Sequence, residues 1–162
     1  MNNQQGWIHM PVPLAILVAV LMALSCGCFP ASLERIFDSA LLWSRTSFWF
    51  GLSLCLLAAA ICIAAVISFR RAKTTVDPRY PEQSNQLVVA GVFNYSRNPM
   101  YVGFVLALIG WSLVLGDAWT LLWIIAYWVF MDRYQIRREE QALTAKFGES
   151  YQAYCQRVRR WV

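Results

Sequence analysis

The chain has 162 residues, of which 59% are hydrophobic and only 14% are charged. Because soluble domains carry about 25% charged residues, this balance excludes an ordinary soluble protein and predicts a chain embedded in lipid. The net charge of +5 fits orientation across a bilayer and contact with anionic headgroups, so nucleic acid is not expected as a partner.

Two uncharged stretches, residues 11–29 and 47–69, predict the first two membrane spans. At about 1.5 Å per helical residue, the second is long enough to cross a hydrocarbon core of about 30 Å. A cleaved leader is the alternative for the first stretch, although it lacks a basic N-terminal region. The connection between them, residues 31–46, has apolar residues at near-helical spacing and is expected to lie along the membrane surface.

A third apolar stretch, residues 99–131, is interrupted at Gly116 and Asp117. A turn residue beside a carboxylate is unfavourable in the bilayer centre, so this stretch predicts a tight helical hairpin. Each arm has roughly 15 to 17 residues, at or below the usual length of about 17 to 25 for a span. Tilted spans, local thinning of the bilayer and a re-entrant pair therefore stay open.

Residues after the hairpin predict two helices outside the bilayer. Residues 132–147 are rich in strong helix formers and end at Gly148, a typical C-cap residue, and a second helix is expected over residues 149–160. An apolar stripe along both helices predicts packing on the membrane surface, with a ligand pocket as the alternative. The stripe consists of Leu143, Phe147, Tyr151, Tyr154, Val158 and Trp161.

The predicted fold is thus an all-α membrane protein with about four transmembrane helices, the last two a tight hairpin, and C-terminal cytoplasmic helices. Of the 14 Lys and Arg residues, five lie between the second and third spans, seven follow the fourth, and two lie in the first connection. Cytoplasmic loops collect such residues. We therefore expect a multi-pass protein with both termini in the cytoplasm. It is divided into residues 1–69, two spans and their connection, and residues 70–162, a loop, the hairpin and the C-terminal helices.

The cysteines predict neither a disulfide framework nor a metal site. Cys26 and Cys28 form the one closely spaced pair, but the chain has a single His, and small apolar cysteines are common in membrane helices.

Polar residues flank the predicted hairpin. Arg97 and Asn98 precede Pro99, which suits the first turn of the third span, and Glu139 and Glu140 follow the fourth span. One interpretation is a solvated charged surface; the other is a polar pocket at the bilayer edge. Arginine, carboxylate and tyrosine side chains in such a pocket would suit the amino-acid, ribose and sulfonium groups of S-adenosylmethionine.

Two segments resemble the isoprenylcysteine carboxyl methyltransferase and phospholipid methyltransferase superfamily. They are Arg97-Asn-Pro-Met-Tyr-Val-Gly103 and Glu139-Glu-x-x-Leu143 with the following Phe147-Gly-x-x-Tyr151-x-x-Tyr154. The resemblance implies an integral membrane enzyme that binds S-adenosylmethionine in a cytoplasmic pocket and methylates a lipophilic acceptor from the bilayer. It implies that residues 70–162 form a methyltransferase-like catalytic region, with catalytic roles for Arg97 and Glu140. The predicted cofactor-binding residues are Arg97, Asn98, Pro99, Tyr101, Gly103, Glu139, Glu140, Tyr151 and Tyr154.

Asn98 stands where the family has a histidine. Asparagine donates and accepts hydrogen bonds but does not titrate near neutral pH, so no base is expected at this position. Methyl transfer from a sulfonium mainly needs alignment and desolvation of the acceptor, and no metal. A carboxylate, a headgroup amine and a thiol all stay open as acceptors.

Two other functions stay open. Sterol reductases have a similar C-terminal region, which makes a nicotinamide-dependent membrane reductase one alternative, although the chain has no glycine-rich dinucleotide fingerprint. The second alternative is a non-catalytic scaffold or transporter subunit. A proton-coupled transporter usually needs a carboxylate within a span, whereas Asp117 and Asp132 lie at predicted span ends, and a scaffold leaves the Arg97 and Glu140 cluster unexplained.

Overall fold

The structure is a computed structural model that describes residues 11–25, 45–72, 87–116 and 119–162. In these ranges the chain forms helices and no strands, which confirms the predicted all-α class. Most of the predicted surface connection, with Cys26, Cys28 and Asp117, lies outside the described residues. The helices are α1 (Pro11–Ser25), α2 (Arg45–Arg71), a short 3-10 helix (Gly91–Asn94), α3 (Pro99–Leu115), α4 (Thr120–Phe130), α5 (Arg137–Phe147) and α6 (Glu149–Arg157).

Helix α2 is the best candidate for a membrane span. Its 27 residues extend about 40 Å at about 1.5 Å per residue, more than the hydrocarbon core of about 30 Å. Within the described ranges, Thr46–Arg71 is the one helix both long and apolar enough to cross a membrane. Helices α1 and α3, with 15 and 17 residues, are apolar but shorter, so the count of four spans stays a prediction.

Helices α2 and α3 pack antiparallel through small residues. Gly51 on α2 lies against Gly110 on α3, and a Cβ atom at Gly51 would come within 2.6 Å of the Gly110 carbonyl oxygen. Further along, the thiol of Cys55 donates to the Ala107 carbonyl at 3.6 Å. Glycine lacks a side chain, and this lets the two backbones approach closely.

The predicted hairpin between α3 and α4 is confirmed. Gly116 ends α3 with a φ of 87°, and its N–H donates to the Ser112 carbonyl at 2.9 Å. The buried hydroxyl groups of Ser112 and Thr120 hydrogen-bond to each other across the base of the hairpin. Helix α1 packs across this pair, where the Trp111 indole donates to the Ala19 carbonyl at 3.2 Å.

Helix α4 does not stop at the end of the predicted span. It continues through a π-helical segment, Met131–Ile136, directly into α5. The predicted separate helix starting at residue 132 is therefore corrected to one continuous helix over residues 120–147, which contains no glycine or proline to interrupt it. Gly148 ends α5 as predicted, with its N–H donating to the Thr144 carbonyl at 2.9 Å.

The C-terminal helices pack within the protein. Tyr151, Tyr154 and Val158 are buried together, and Leu143 and Phe147 pack against them, so these five residues of the apolar stripe lie on one face. Leu87 and Val89 also pack against this cluster, so protein covers this part of the stripe, while packing of these helices on the membrane surface stays a prediction. Trp161 packs instead against the core shared by α1, α3 and α4, because Val158 is extended and α6 ends at Arg157, three residues before the predicted end.

Candidate functional site

A sharp corner of the backbone joins the 3-10 helix to α3. Asn98 precedes the helix with φ −129° and ψ 55°, and Pro99 occupies the first turn as predicted. The Asn98 carbonyl accepts the N–H groups of Tyr101 at 3.0 Å and Val102 at 3.1 Å. Because proline has no N–H to leave unpaired in this turn, the helix begins here and holds Arg97 just outside its end.

The structure brings Arg97 and Glu140 into contact. Arg97 Nη1 lies 3.1 Å from Glu140 Oε1, and the two side chains are 15% and 17% exposed. Glu140 also accepts from Arg160, whose Nε lies 3.1 Å from Oε1 and whose Nη2 lies 2.5 Å from Oε2. One carboxylate therefore bridges two arginines, and charge-assisted pairs of this kind are stronger than neutral hydrogen bonds.

Glu139, the neighbour of Glu140, has neutral partners. Its Oε1 accepts the Tyr101 hydroxyl from α3 and, at 2.8 Å, the Gln135 amide from the π-helical segment. Burial raises the pKa of the Glu139 carboxyl, the nearby Glu140 charge adds to the rise, and the Tyr101 and Gln135 hydrogen bonds oppose it. Without a cationic partner of its own in this network, Glu139 is suited to receive a positively charged group or a hydroxyl donor.

Arg97 retains a free donor inside the site. Its Nη1 also lies 2.6 Å from the Cys155 thiol, while its Nε is buried and has no hydrogen-bond partner among the described residues. A buried donor left unpaired is unfavourable and rare in native proteins. An anionic ligand that reached this nitrogen would therefore supply its missing partner, while Arg97 Nη1 kept its contact with Glu140.

Three further predicted residues lie around this centre: Asn98 and Tyr154, whose side chains hydrogen-bond to protein carbonyls, and Gly103, which packs against α2. The Asn98 amide donates to the Arg160 carbonyl at 3.0 Å, and the Tyr154 hydroxyl donates to the Phe93 carbonyl at 2.7 Å. Burial also raises the pKa of Tyr154 to about 12. Gly103 faces α2, where a Cβ atom would lie 2.5 Å from Cys62 Sγ. Direct cofactor roles for these residues stay predictions.

Asp132 and Arg160 complete the network, and the sequence reasoning did not assign them to it. Asp132 Oδ1 accepts Arg160 Nη1 at 3.2 Å and the Trp161 indole at 2.9 Å. Burial acts to raise the pKa of Asp132, but the hydrogen bonds from Trp161 and Arg160 outweigh it and lower the pKa. The spacing of Asp132, Gln135 and Glu139, at three- and four-residue intervals, resembles one face of an α-helix, but no local pattern in the sequence pairs Arg160 with Asp132 and Glu140.

Comparison with known proteins matches the part of the chain that carries Arg97, Asp132, Glu139 and Glu140, whereas Arg160 and Trp161 follow the matched residues. A family model described as phospholipid methyltransferase matches residues 46–150. A protein-S-isoprenylcysteine O-methyltransferase of Schizosaccharomyces pombe is 38% identical over 73 residues, 44% of this chain and 30% of that protein. A probable protein-S-isoprenylcysteine O-methyltransferase of Oryza sativa subsp. indica is 29% identical over 133 residues, 79% of this chain and 69% of that protein.

A different enzyme class is also similar. A Delta(14)-sterol reductase of Mus musculus is 32% identical over 74 residues, 45% of this chain and 18% of that protein. The chain thus spans less than a third of the S. pombe protein and less than a fifth of the reductase. No solved structure matches the chain significantly.

Proposed function

Because the chain belongs to the phospholipid methyltransferase family, we propose that it is an integral membrane methyltransferase that uses S-adenosylmethionine to methylate a lipid-like or prenylated acceptor. The observation that carries the proposal is the contact between Arg97 and Glu140. It joins two segments 43 positions apart, on the corner before α3 and on α5, and both lie in the matched region 46–150.

The residues of the site fit the proposed cofactor. Arg97 Nε has no partner among the described residues and would donate to a carboxylate. Glu139 accepts from the neutral Tyr101 and Gln135 within the described part of the chain and would also accept from an ammonium group or from ribose hydroxyls. S-adenosylmethionine contains all of these groups and, when bound, supplies a methyl group already activated on a sulfonium.

The main role of the protein is then to hold the cofactor and to orient it toward the acceptor. Glu140 holds the Arg97 guanidinium in place through its contact with Nη1. The arginine side chain is therefore already ordered when an anionic group binds, and binding costs less conformational entropy. Removal of water from around the acceptor raises its reactivity, and good alignment supplies much of the remaining rate. A titrating base is not required, which agrees with asparagine at position 98.

Support for a membrane acceptor and for the cytoplasmic face comes from the outer surface. Leu56, Leu57 and Ile63 on α2 are each more than half exposed, as expected of a helix that contacts lipid tails. At the end of α2 that lies near the site, Arg70 and Arg71 are exposed. Positive residues collect on the cytoplasmic side of membrane proteins, and this favours a site that opens to the cytoplasm.

The test is calorimetric titration of S-adenosylmethionine, and of its demethylated product, into the detergent-purified chain. We expect micromolar binding that is lost in Arg97→Ala and in Glu140→Ala. Arg138→Ala is the matched control. Arg138 is exposed on α5, the helix that carries Glu140, and its replacement removes the same positive charge as Arg97→Ala. Absence of binding to a wild-type chain that unfolds cooperatively would contradict the proposal.

A nicotinamide-dependent reductase is the second candidate, because the sterol reductase of Mus musculus is similar over 74 residues. NADPH titrated into the same preparation separates the two functions. Binding of NADPH with no binding of S-adenosylmethionine would favour the reductase. Failure of both ligands would favour a non-catalytic subunit.

A further inference from the structure

The last residues of the chain return to the corner that carries Arg97. The Arg97 N–H donates to the Arg159 carbonyl at 3.0 Å, and the Arg160 carbonyl accepts the Asn98 amide at 3.0 Å and the Ser96 hydroxyl at 3.4 Å. We call residues 159–161 the C-terminal clasp. Its backbone is thereby joined to the residues on either side of Arg97.

Side chains of the clasp hold the acidic groups of the long helix. Arg160 contacts Glu140 through two nitrogens and Asp132 through the third, while Trp161 donates to Asp132 at 2.9 Å. The Arg160 guanidinium thus uses all three nitrogens on two carboxylates, a geometry that lysine cannot reproduce. These carboxylates also lie on different elements, Asp132 in the π-helical segment and Glu140 on α5.

We propose that Arg160 is a positioning residue of the cofactor site, which fixes the Glu140 carboxylate for its contact with Arg97 and draws the corner at residues 96–98 against α5. This inference rests on the proposed function and assigns the site a member that does not touch the ligand. Asp132 sets the orientation of Arg160, and Asn98 anchors the clasp by its side-chain amide. The asparagine at the position of the family's histidine therefore has a structural partner in this chain.

The first test needs no ligand. Hydrogen exchange is followed in peptides that cover residues 96–98 and 158–161, in the wild type and in Arg160→Gln. We expect faster exchange at the Arg97 amide in the variant, because its acceptor is the Arg159 carbonyl. Arg157→Gln is the matched control, since Arg157 is exposed and the change removes the same charge three residues earlier. Equal exchange in the wild type and Arg160→Gln would overturn the clasp.

The second test measures affinity for S-adenosylmethionine. Loss of charge-assisted hydrogen bonds to Glu140 should weaken binding about 10- to 100-fold in Arg160→Gln, with wild-type affinity in Arg157→Gln. The double variant Arg160→Gln with Glu140→Gln should bind no more weakly than Glu140→Gln alone, because Arg160 acts through Glu140. Ethylguanidinium added to Arg160→Ala should restore part of the affinity, because it can bond to both carboxylates as the arginine does. Ethylammonium should restore less. If Arg160 only stabilised the fold, the two additives would have the same effect on the affinity.

The two proposals fail separately. If the wild type does not bind S-adenosylmethionine, the proposed function falls, and the exchange experiment still decides whether Arg160 holds the corner. If the wild type binds and Arg160→Gln binds equally well, the positioning role is overturned while the proposed function stands.

Discussion

Gly110→Ala tests the close approach of α2 and α3. A Cβ atom at position 110 would lie 2.6 Å from the Gly51 carbonyl oxygen and 3.1 Å from the Cys55 amide nitrogen. Both are backbone atoms of α2, which no side-chain rotation can move away, so the two helices must separate by several tenths of an ångström. Overpacking of this kind typically destabilises by about 1–3 kcal/mol, which corresponds to a midpoint lower by roughly 2–10 °C for a chain of this size.

Gly103→Ala is a matched change with a different obstacle. The nearest atom to a Cβ at position 103 is the side-chain Sγ of Cys62, at 2.5 Å. We therefore expect Gly103→Ala to destabilise the wild type, but to destabilise a Cys62→Ala background much less. Cys55→Ala should not relieve Gly110→Ala to the same extent, because the Gly51 carbonyl oxygen stays in the way.

Thermal unfolding of the detergent-purified variants, followed by circular dichroism, gives the midpoints, and calorimetry on the same samples gives the affinity for S-adenosylmethionine. An unchanged midpoint in Gly110→Ala would refute the close packing of the two helices. If Gly103→Ala kept the wild-type midpoint in both backgrounds and lost ligand affinity, Gly103 would act at the cofactor site and not through its packing on α2.

Two further predictions concern groups near the site. Tyr154→Phe removes the donor to the buried Phe93 carbonyl and should destabilise by about 1–3 kcal/mol, the effect of leaving a buried acceptor unpaired; a midpoint equal to that of the wild type would contradict it. Burial raises the pKa of Glu139 in the folded state, so the folded chain binds this proton more tightly than the unfolded chain. The free energy of unfolding should therefore fall as pH rises from about 4.3, the ordinary pKa of a glutamate, to the raised pKa of Glu139. Glu139→Gln should remove this part of the pH dependence, measured as midpoints between pH 4 and 7; the same slope in both proteins would show that Glu139 is not its source.

Local features of the chain that act over a few residues were readable from the sequence. The long uncharged run predicted α2, Gly116 predicted the turn of the hairpin, and Gly148 predicted the end of α5. Proline at position 99 predicted the start of α3 and with it the place of Arg97. Hydropathy, the missing N–H of proline and the conformational freedom of glycine are properties of single residues and their neighbours, so they can be recognised without a fold.

The partners within the site depended on contacts between distant parts of the chain. Arg160 meets Glu140 across 20 positions and Asp132 across 28, and the Arg97 amide meets the Arg159 carbonyl. These pairs form because α6 turns back at Gly148 and because the long helix passes through a π-helical segment, which changes the direction of each later side chain. The residue types proposed to bind the cofactor were therefore visible in the sequence. Which charged group pairs with which was decided by packing, because the partner of a side chain depends on where the backbone places it.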